Sequence, residues 1–582
     1  MIKRLLVLSL SVWCFQNTFG QTVIATQEIL QGYKTIPQEE IFVHHNTDLL
    51  LAGEYLYYKV YCKNRATKEM SSLSKVAYVE LVGEDKTTVF RHKVRLNNGM
   101  AQGDFFLPVG VSSGSYKLIA YTQWMRNAGE GAFFESDIAI INPYRSSQGN
   151  ILTSSENSAA AIAPYDNNIT PINPNNGAIQ LKTDKLSYDK REKVRLQVST
   201  GDYDVKAGSY SLSVRKLDAV VPFSEKSSQN YIDKQTTKSL SIGSSMFLPE
   251  LRGEVVWGTI TSKANGSPAG NAKVALSIPG QDFVTKIANT NPEGIFYFVL
   301  QDEFNDENAT FQVLGDTASD YEIVVSKHAP LAYDDLEFKG FTITKDLEDI
   351  ILKRSVYNQI ENGYYELKPD TIKLPLASPP FYGKRGRAYN LDDYKRFNTV
   401  KETFLEFIDD AWTKNVGGET VFSVRAYENT LVSDFPPLII VDGIVVQDQQ
   451  KLLDYPARKI KTVSIVRDKY FLGAEVFQGV IIIETLTGDF YESLTEDYVA
   501  KIGLFTTQPK KSYFSQSYMD YGGNRMPDFR SQLLWEPNAE VNESNGVWEF
   551  YTSDNTGTYE VSLEGFTGNG VPVSLKKFIS VK

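Results

Sequence analysis

The stretch Pro436-Pro-Leu-Ile-Ile-Val-Asp-Gly-Ile-Val-Val446, continued by Lys461-Thr-Val-Ser-Ile-Val-Arg467 and Gly479-Val-Ile-Ile-Ile-Glu-Thr485, decides how the rest of the chain is read. Two β-branched runs, Leu438–Val441 and Ile444–Val446, flank Asp442-Gly443. That dipeptide suits a two-residue type I′ turn, in which both central residues take positive φ. The spacing predicts a hairpin. Asp448–Tyr455 carries Leu452 and Leu453 on one side and stops at Pro456, which predicts a short helix. The alternation Val463/Ile465 and the run Val480–Ile483 predict two more strands.

Just upstream, Tyr394, Phe397, Val400, Phe404, Phe407, Ile408 and Ala411 recur at helical spacing, with Asn390 or Asp392 as the expected cap, and Val421-Phe-Ser-Val-Arg425 predicts a strand. This order of elements resembles the plug domain of TonB-dependent outer-membrane receptors, whose hairpin, strand and closing strand correspond here to Leu438–Val446, Ile460–Asp468 and Gly479–Thr485. Ala426 stands where the family pattern has glycine. A receptor would continue into a barrel of several hundred residues, and the chain after Glu484 is too short for one. The expectation is therefore a plug-like module without a barrel, spanning 389–488.

The 582 residues exceed what one core organises and predict roughly three to five domains. Tyr, Phe, Val and Thr are abundant, which favours strands. The net charge of −11 and the absence of a basic run give no electrostatic reason to expect nucleic acid. Lys3 and Arg4, an apolar run from Leu5 to Phe15, and Thr18-Phe-Gly20 before Gln21 predict a cleaved signal peptide over 1–20. No later run reaches the roughly 18 residues of a membrane helix, so the mature chain is expected to be exported with no span of its own, in the periplasm or at the outer-membrane surface. Val12-Trp13 before Cys14 argue against a lipid anchor. Cys62 is then alone, and an intrachain disulfide is not expected.

Residues 21–145 read as strand after strand: Tyr55–Tyr61, Val76–Val82, Val89–Leu96 and Tyr116–Tyr121, with turns at Asn97-Asn98-Gly99 and Ser112-Ser113-Gly114. His45–Tyr55 with Ser115–Asn127 resembles macroglobulin-type domains. A Ser/Asn/Ala/Pro-rich linker is expected over 146–176. The alternations Val194/Leu196/Val198 and Tyr210/Leu212/Val214 predict a second macroglobulin-like sandwich over 177–250. Gly253–Ile260, Gly266–Leu276 and Asn289–Phe298 resemble carboxypeptidase regulatory-like domains, small prealbumin-type sandwiches, here 251–330. A connector is expected over 331–388 and a C-terminal β-sandwich over 489–582. The fold class expected is mainly β: tandem macroglobulin/Ig-like and prealbumin-like β-sandwiches plus one small α+β plug-like domain.

Catalytic signatures are weak. Gly110-Val-Ser-Ser-Gly114 fits the hydrolase pattern G-x-S-x-G, but a strand follows it where that mechanism needs a helix. His44 and His45 are neighbours on a strand and point to opposite faces, which does not suit a shared metal. Asp409-Asp410 reads as a solvated helix end. Cys62-Lys-Asn-Arg65 lacks the Cys-x-x-Gln pattern of a thioester trap, and Cys62 reads as a small core residue. Expected catalytic, cofactor-binding and metal residues are none, and no cofactor is expected.

The function expected is a non-enzymatic binding or scaffold protein of the Gram-negative cell envelope with a protein partner, an outer-membrane barrel among the candidates. The rival expectations are an accessory of an outer-membrane transport or secretion complex and a non-covalent macroglobulin-like protease inhibitor. The candidate partner contact is the hairpin Ile439, Ile440, Val441, Asp442, Gly443, Ile444, Val445 and Val446, with a purely structural turn as the alternative. Leu575–Val581 resembles the closing strand of type IX sorting domains, and a last sandwich strand explains it equally well.

Overall fold

A computed structural model describes residues 22–23, 26–146, 151–152, 179–217, 223, 226–231, 241, 245–280, 282–301, 304, 307–328, 330–373, 381–383, 386–427, 435–518, 526–541 and 546–582. The expected signal peptide and nearly all of the expected linker lie outside these residues. The chain forms two units. One takes Arg252–Pro330 and Pro375–Thr506; the other takes Thr22–Leu251, Leu331–Leu374 and Thr507–Lys582.

The second unit begins with a sandwich. A sheet of Glu39–His45, Tyr55–Asn64 and Met100–Phe106 accompanies a five-stranded sheet ordered Leu49–Leu51, Phe134–Ile141, Gly114–Tyr121, Val76–Gly83 and Thr88–Arg95. Leu49–Leu51 runs parallel to Phe134–Ile141 and the other pairs are antiparallel. Phe42, Tyr61, Leu81, Leu118 and Phe134 fill the core.

The expected separate sandwiches over 177–250 and 489–582 are one domain. Lys193–Thr200 pairs with Gly546–Tyr551, and Ser209–Lys216 lies between Gln532–Ala539 and Gly557–Phe566. Val194, Leu196, Val198, Tyr210, Leu212 and Val214 share a core with Phe550, Tyr559, Val561, Leu563 and Ile579. The physical reason is that each segment alone has too few strands to cover its own apolar face. Pro572–Val581 is the penultimate strand of this sheet, beside the short Ser187–Tyr188. The expected connector is also corrected: it contains the helix Glu348–Gly363, and Arg387–Asn390 is a strand of the plug-like sheet.

The first unit holds a smaller sandwich. Its sheets are Ile295–Leu300, Glu254–Ser262 and Tyr321–Val325, and Val284–Asn289, Lys273–Ile278, Asn308–Leu314 and Val499–Gly503. Val499–Gly503, expected in the C-terminal domain, pairs with Asn308–Leu314 instead.

Beside it stands a mixed five-stranded sheet ordered Arg387–Asn390, Ile460–Leu472, Glu475–Thr485, Leu438–Val441 and Ile444–Val445. Leu438–Val441 runs parallel to Glu475–Thr485. The expected hairpin at Asp442-Gly443 is present, with φ of 48° and 85°. The expected helix after it is Gln449–Leu453, capped by the Asp448 side chain. The longer helix expected across Tyr394–Ala411 is only Val400–Glu406, capped by Thr399, while Asn390 caps the single turn Leu391–Asp393. The aromatic spacing has another origin: Tyr394 stacks on Phe407 at 4.1 Å and 4°, with Phe397 and Tyr389 beside them.

Candidate functional site

The hairpin named as a partner contact lies inside its unit. Ile439, Val441 and Ile444 face one core with Phe404, Leu452, Val463 and Ile483. Ile440 and Val445 face the other with Ala275, Ile287, Val480 and Ile482, so the plug-like sheet is covered on its second face by the smaller sandwich. Both faces are dry, which is why these strands read as unbroken apolar runs. Each such side chain contributes about 1.5–3 kcal/mol through burial. The sheet edge is closed as well. The Val445 carbonyl accepts from Gln312 Nε2 at 2.8 Å, Val445 N–H donates to Ser277 Oγ at 3.2 Å, and Gln447 Nε2 donates to the Val313 carbonyl at 2.7 Å. An edge blunted by side chains offers little to an added strand. Asp442 and Gly443 act as a structural turn: the Asp442 carboxylate accepts from Thr485 and Phe490, and Gly443 sits against Phe283, where a Cβ would come within 2.5 Å.

The reactive-looking residues are equally internal. Gly110–Gly114 runs into the strand Gly114–Tyr121, not a helix. His44 Nδ1 lies 2.6 Å from Ser211 Oγ, a Ser–His contact, but both are buried. Burial above all, with His45 and Lys576 nearby, lowers the His44 imidazole to about 3. His45 bonds Ser136 and the Thr47 carbonyl. Cys62 is fully buried on the strand Tyr55–Asn64. Of the acidic pair expected in solvent, Asp410 is buried and lies 3.4 Å from Arg467. Among the described residues no group of three or more His, Cys, Asp or Glu is placed to hold a metal.

A concave site with a polar and aromatic lining belongs to the other unit, and no sequence pattern marked it. Two adjoining hollows of about 150 and 340 Å³ share Glu54, Asn358, Glu361 and Ser531. Their walls come from the start of Tyr55–Asn64, the helix Glu348–Gly363 and the start of Gln532–Ala539. The helix is docked by polar side chains. Arg354 Nε and Nη2 each donate to the Glu54 carboxylate at 2.7 Å, and the Asn358 and Asn362 amides donate to the carbonyls of Ala52 and Gly53 at 3.1 and 2.9 Å. Burial opposes ionisation of Glu54, but Arg354, Arg215 and the Leu51 N–H outweigh it and hold the carboxyl below its usual range. Arg530 grips Asp528 at 2.8 and 2.7 Å, and Lys368 reaches Glu361 at 2.6 Å. Such bidentate pairs fix a wall in place.

Across the smaller hollow the rings of Tyr365, Tyr55, Tyr57 and Trp535 follow one another nearly parallel, at centroid spacings of 5.9, 5.7 and 6.0 Å and angles of 13°, 14° and 25°. Burial raises the phenols of Tyr55 and Tyr57, so both stay protonated at neutral pH. Burial also raises the carboxyl of Asp370, which accepts the Phe514 N–H at 2.9 Å.

The fold defines a multidomain β-sandwich protein, and no described helix is long and apolar enough to cross a membrane. No family model and no curated protein matches the chain. Among solved structures it is similar to Salmonella alpha-2-macroglobulin reacted with methylamine, at 9% identity and a TM-score of 0.23, covering 97% of this chain and 40% of that one. Trypsin-activated alpha-2-macroglobulin from Escherichia coli gives 9% identity, a TM-score of 0.23 and coverage of 93% and 41%. The Escherichia coli adhesin FdeC gives 12%, 0.14, and 44% and 63%. The chain thus spans about two fifths of the length of these macroglobulins.

Proposed function

We propose that the protein is a non-enzymatic, exported binding and scaffold component of the Gram-negative cell envelope, at the periplasmic or outer-membrane face. One observation carries this reading: the second face of the plug-like sheet is occupied by Ala275, Ile287 and Phe283 of its own unit. A plug that keeps a barrel as its partner leaves its surface for the barrel wall. This one is paired in cis, as a building block of a larger β-protein. The partner then binds elsewhere, and the polar-aromatic hollow of the other unit is one concave feature open to it.

The test is affinity isolation of the full chain from detergent-solubilised envelopes. Recovery with envelope partners and without a stoichiometric outer-membrane barrel is expected. A stoichiometric barrel replaces this reading with the transport-accessory one, and inhibition of trypsin by an excess of pure protein replaces it with the inhibitor one.

A further inference from the structure

The helix Glu348–Gly363 is inverted. Its inner face is the polar one: Arg354, Asn358 and Asn362, one turn apart, donate to the Glu54 carboxylate and to the carbonyls of Ala52 and Gly53. At about 100° per residue, Asp349, Leu352, Lys353 and Val356 lie on the opposite side. Leu352 and Val356 are 49% and 52% exposed there, and Ile350, at the border of that face, is 45% exposed. Two more apolar side chains flank the helix. Tyr144, whose hydroxyl accepts from Ser355 Oγ at 3.1 Å, is 44% exposed, and Leu152, next to the Ile151 that shares a cluster with Ile351, is 52% exposed. A surface helix normally turns its apolar stripe towards its own core, and apolar side chains gathered on one exposed side mark a contact surface.

The charges on that face choose the occupant. Glu348 and Asp349 form an acidic first turn, Lys353 follows one turn later, and Leu352 lies between the two signs. Among the described residues none of the three is in an ion pair, and Lys353 lies over the Tyr357 ring at 5.6 Å. A stripe of one sign suits a lipid headgroup or a partner of the opposite sign. This one carries both signs in order along the helix, so it is complementary to itself when reversed. We infer that the helix Glu348–Gly363 pairs with the same helix of a second copy of this chain, antiparallel and crossing at Leu352 about a two-fold axis. Leu352 then meets its counterpart, and Asp349 of each copy meets Lys353 of the other. A parallel crossing would set Asp349 against Asp349. One helix face falls short of the roughly 800 Å² per partner that a stable interface buries, so the dimer is a dissociating one, with a dissociation constant on the order of micromolar. The inference goes beyond the scaffold reading and does not rest on it.

Sedimentation equilibrium of the full chain through the micromolar range tests it. A reversible monomer–dimer equilibrium is expected. Leu352→Asp, at a half-exposed position whose change the fold tolerates, is expected to weaken the dimer at least about tenfold with an unchanged circular dichroism spectrum. Asp349→Lys and Lys353→Asp should each weaken self-association several-fold, because each sets like charges across the two-fold axis. An equimolar mixture of those two variants restores both opposite-charge contacts and should form heterodimers at close to the unmodified affinity. Phe471→Asp, at a 75% exposed ring of the other unit, should change nothing. A chain that stays monomeric throughout the range overturns the inference, even if it captures another protein or a lipid vesicle through this helix. So does a dimer that survives Leu352→Asp, or a pair of charge-reversed variants that fails to associate on mixing.

Discussion

Asp442 holds Thr485 by two bonds: its carboxylate accepts the Thr485 backbone N–H at 2.8 Å and the Thr485 hydroxyl at 2.6 Å, while Asp442 N–H donates to the Ile483 carbonyl at 3.0 Å. The turn that opens the plug-like sheet therefore also fastens the end of its closing strand. Asp442→Ala is expected to lower the stability of that unit by about 2–3 kcal/mol, the scale of several hydrogen bonds and a lost positive-φ preference. Asp442→Asn, which keeps an acceptor and tolerates positive φ, should lose less. Urea unfolding followed by Trp fluorescence checks both.

Gly443 gives a second prediction at the same turn. A Cβ there meets Phe283 Cβ at 2.5 Å at a backbone φ of +85°. Gly443→Ala is expected to destabilise the unit by more than about 1 kcal/mol, and Phe283→Ala should relieve part of that loss in the double variant while costing stability alone. Additive losses in the four-way comparison would contradict the contact.

The buried histidines make the sandwich unit pH-sensitive above the carboxylate range. Burial holds His44 near 3, and burial with Lys511 nearby holds His92 near 4, both below the ordinary value of 6.5. Their folded values are depressed, so the unfolded chain takes up protons first. Stability is full above about pH 6.5 and falls as the pH drops towards 4. The loss at pH 5 is on the order of 2 kcal/mol for each. Denaturation midpoints measured from pH 7.5 to 4.5 should fall, and His44→Gln should flatten the slope.

A separate acid step belongs to the ion pairs. Burial raises Asp528, but Arg530, Lys368 and the Tyr518 hydroxyl outweigh it and bring the carboxyl to about 2. Its stabilisation is present above the ordinary aspartate range and is lost as the pH falls through 4 towards 2, roughly 2 kcal/mol in total. Arg530→Lys, which surrenders the bidentate grip, should move this loss to higher pH; an unchanged acid limb would exclude Asp528 as its source.

Cys62 provides a reporter of the first sandwich. Burial first, and Glu39 and Glu40 next, push its thiol well above the usual range. In the native protein it should resist iodoacetamide for hours and become labelled only as the sandwich opens, with the modified peptide identified by mass spectrometry.

What the sequence made legible was local. Asp442-Gly443 marked its turn because both residues need a rare backbone conformation, and Val194/Leu196/Val198 marked a strand because alternate side chains share one face. The joining of Ser209–Lys216 to Gly557–Phe566 left no such mark, since pairing between distant segments changes neither segment's periodicity. The helix Glu348–Gly363 was missed for a related reason. Ile350, Leu352 and Val356 are exposed, and the helix is docked by Arg354, Asn358 and Asn362, so apolar spacing had nothing to report. The hollow was invisible because Tyr55, Arg215, Tyr365 and Trp535 meet only after the chain has folded back on itself.

That folding back sets a timetable. The strand Ser209–Lys216 is synthesised early, yet the neighbours on either side of it, Gln532–Ala539 and Gly557–Phe566, emerge roughly three hundred residues later. The first sandwich and the inserted unit have all their own strands sooner and can close while the nascent chain grows. The second sandwich must wait with an open apolar face. Closing so long a loop adds only a slowly growing entropic cost, so the burden is one of exposure time and not of final stability. A chaperone that shelters residues 179–216 during that interval would leave the finished protein unchanged and decide how much of it is made.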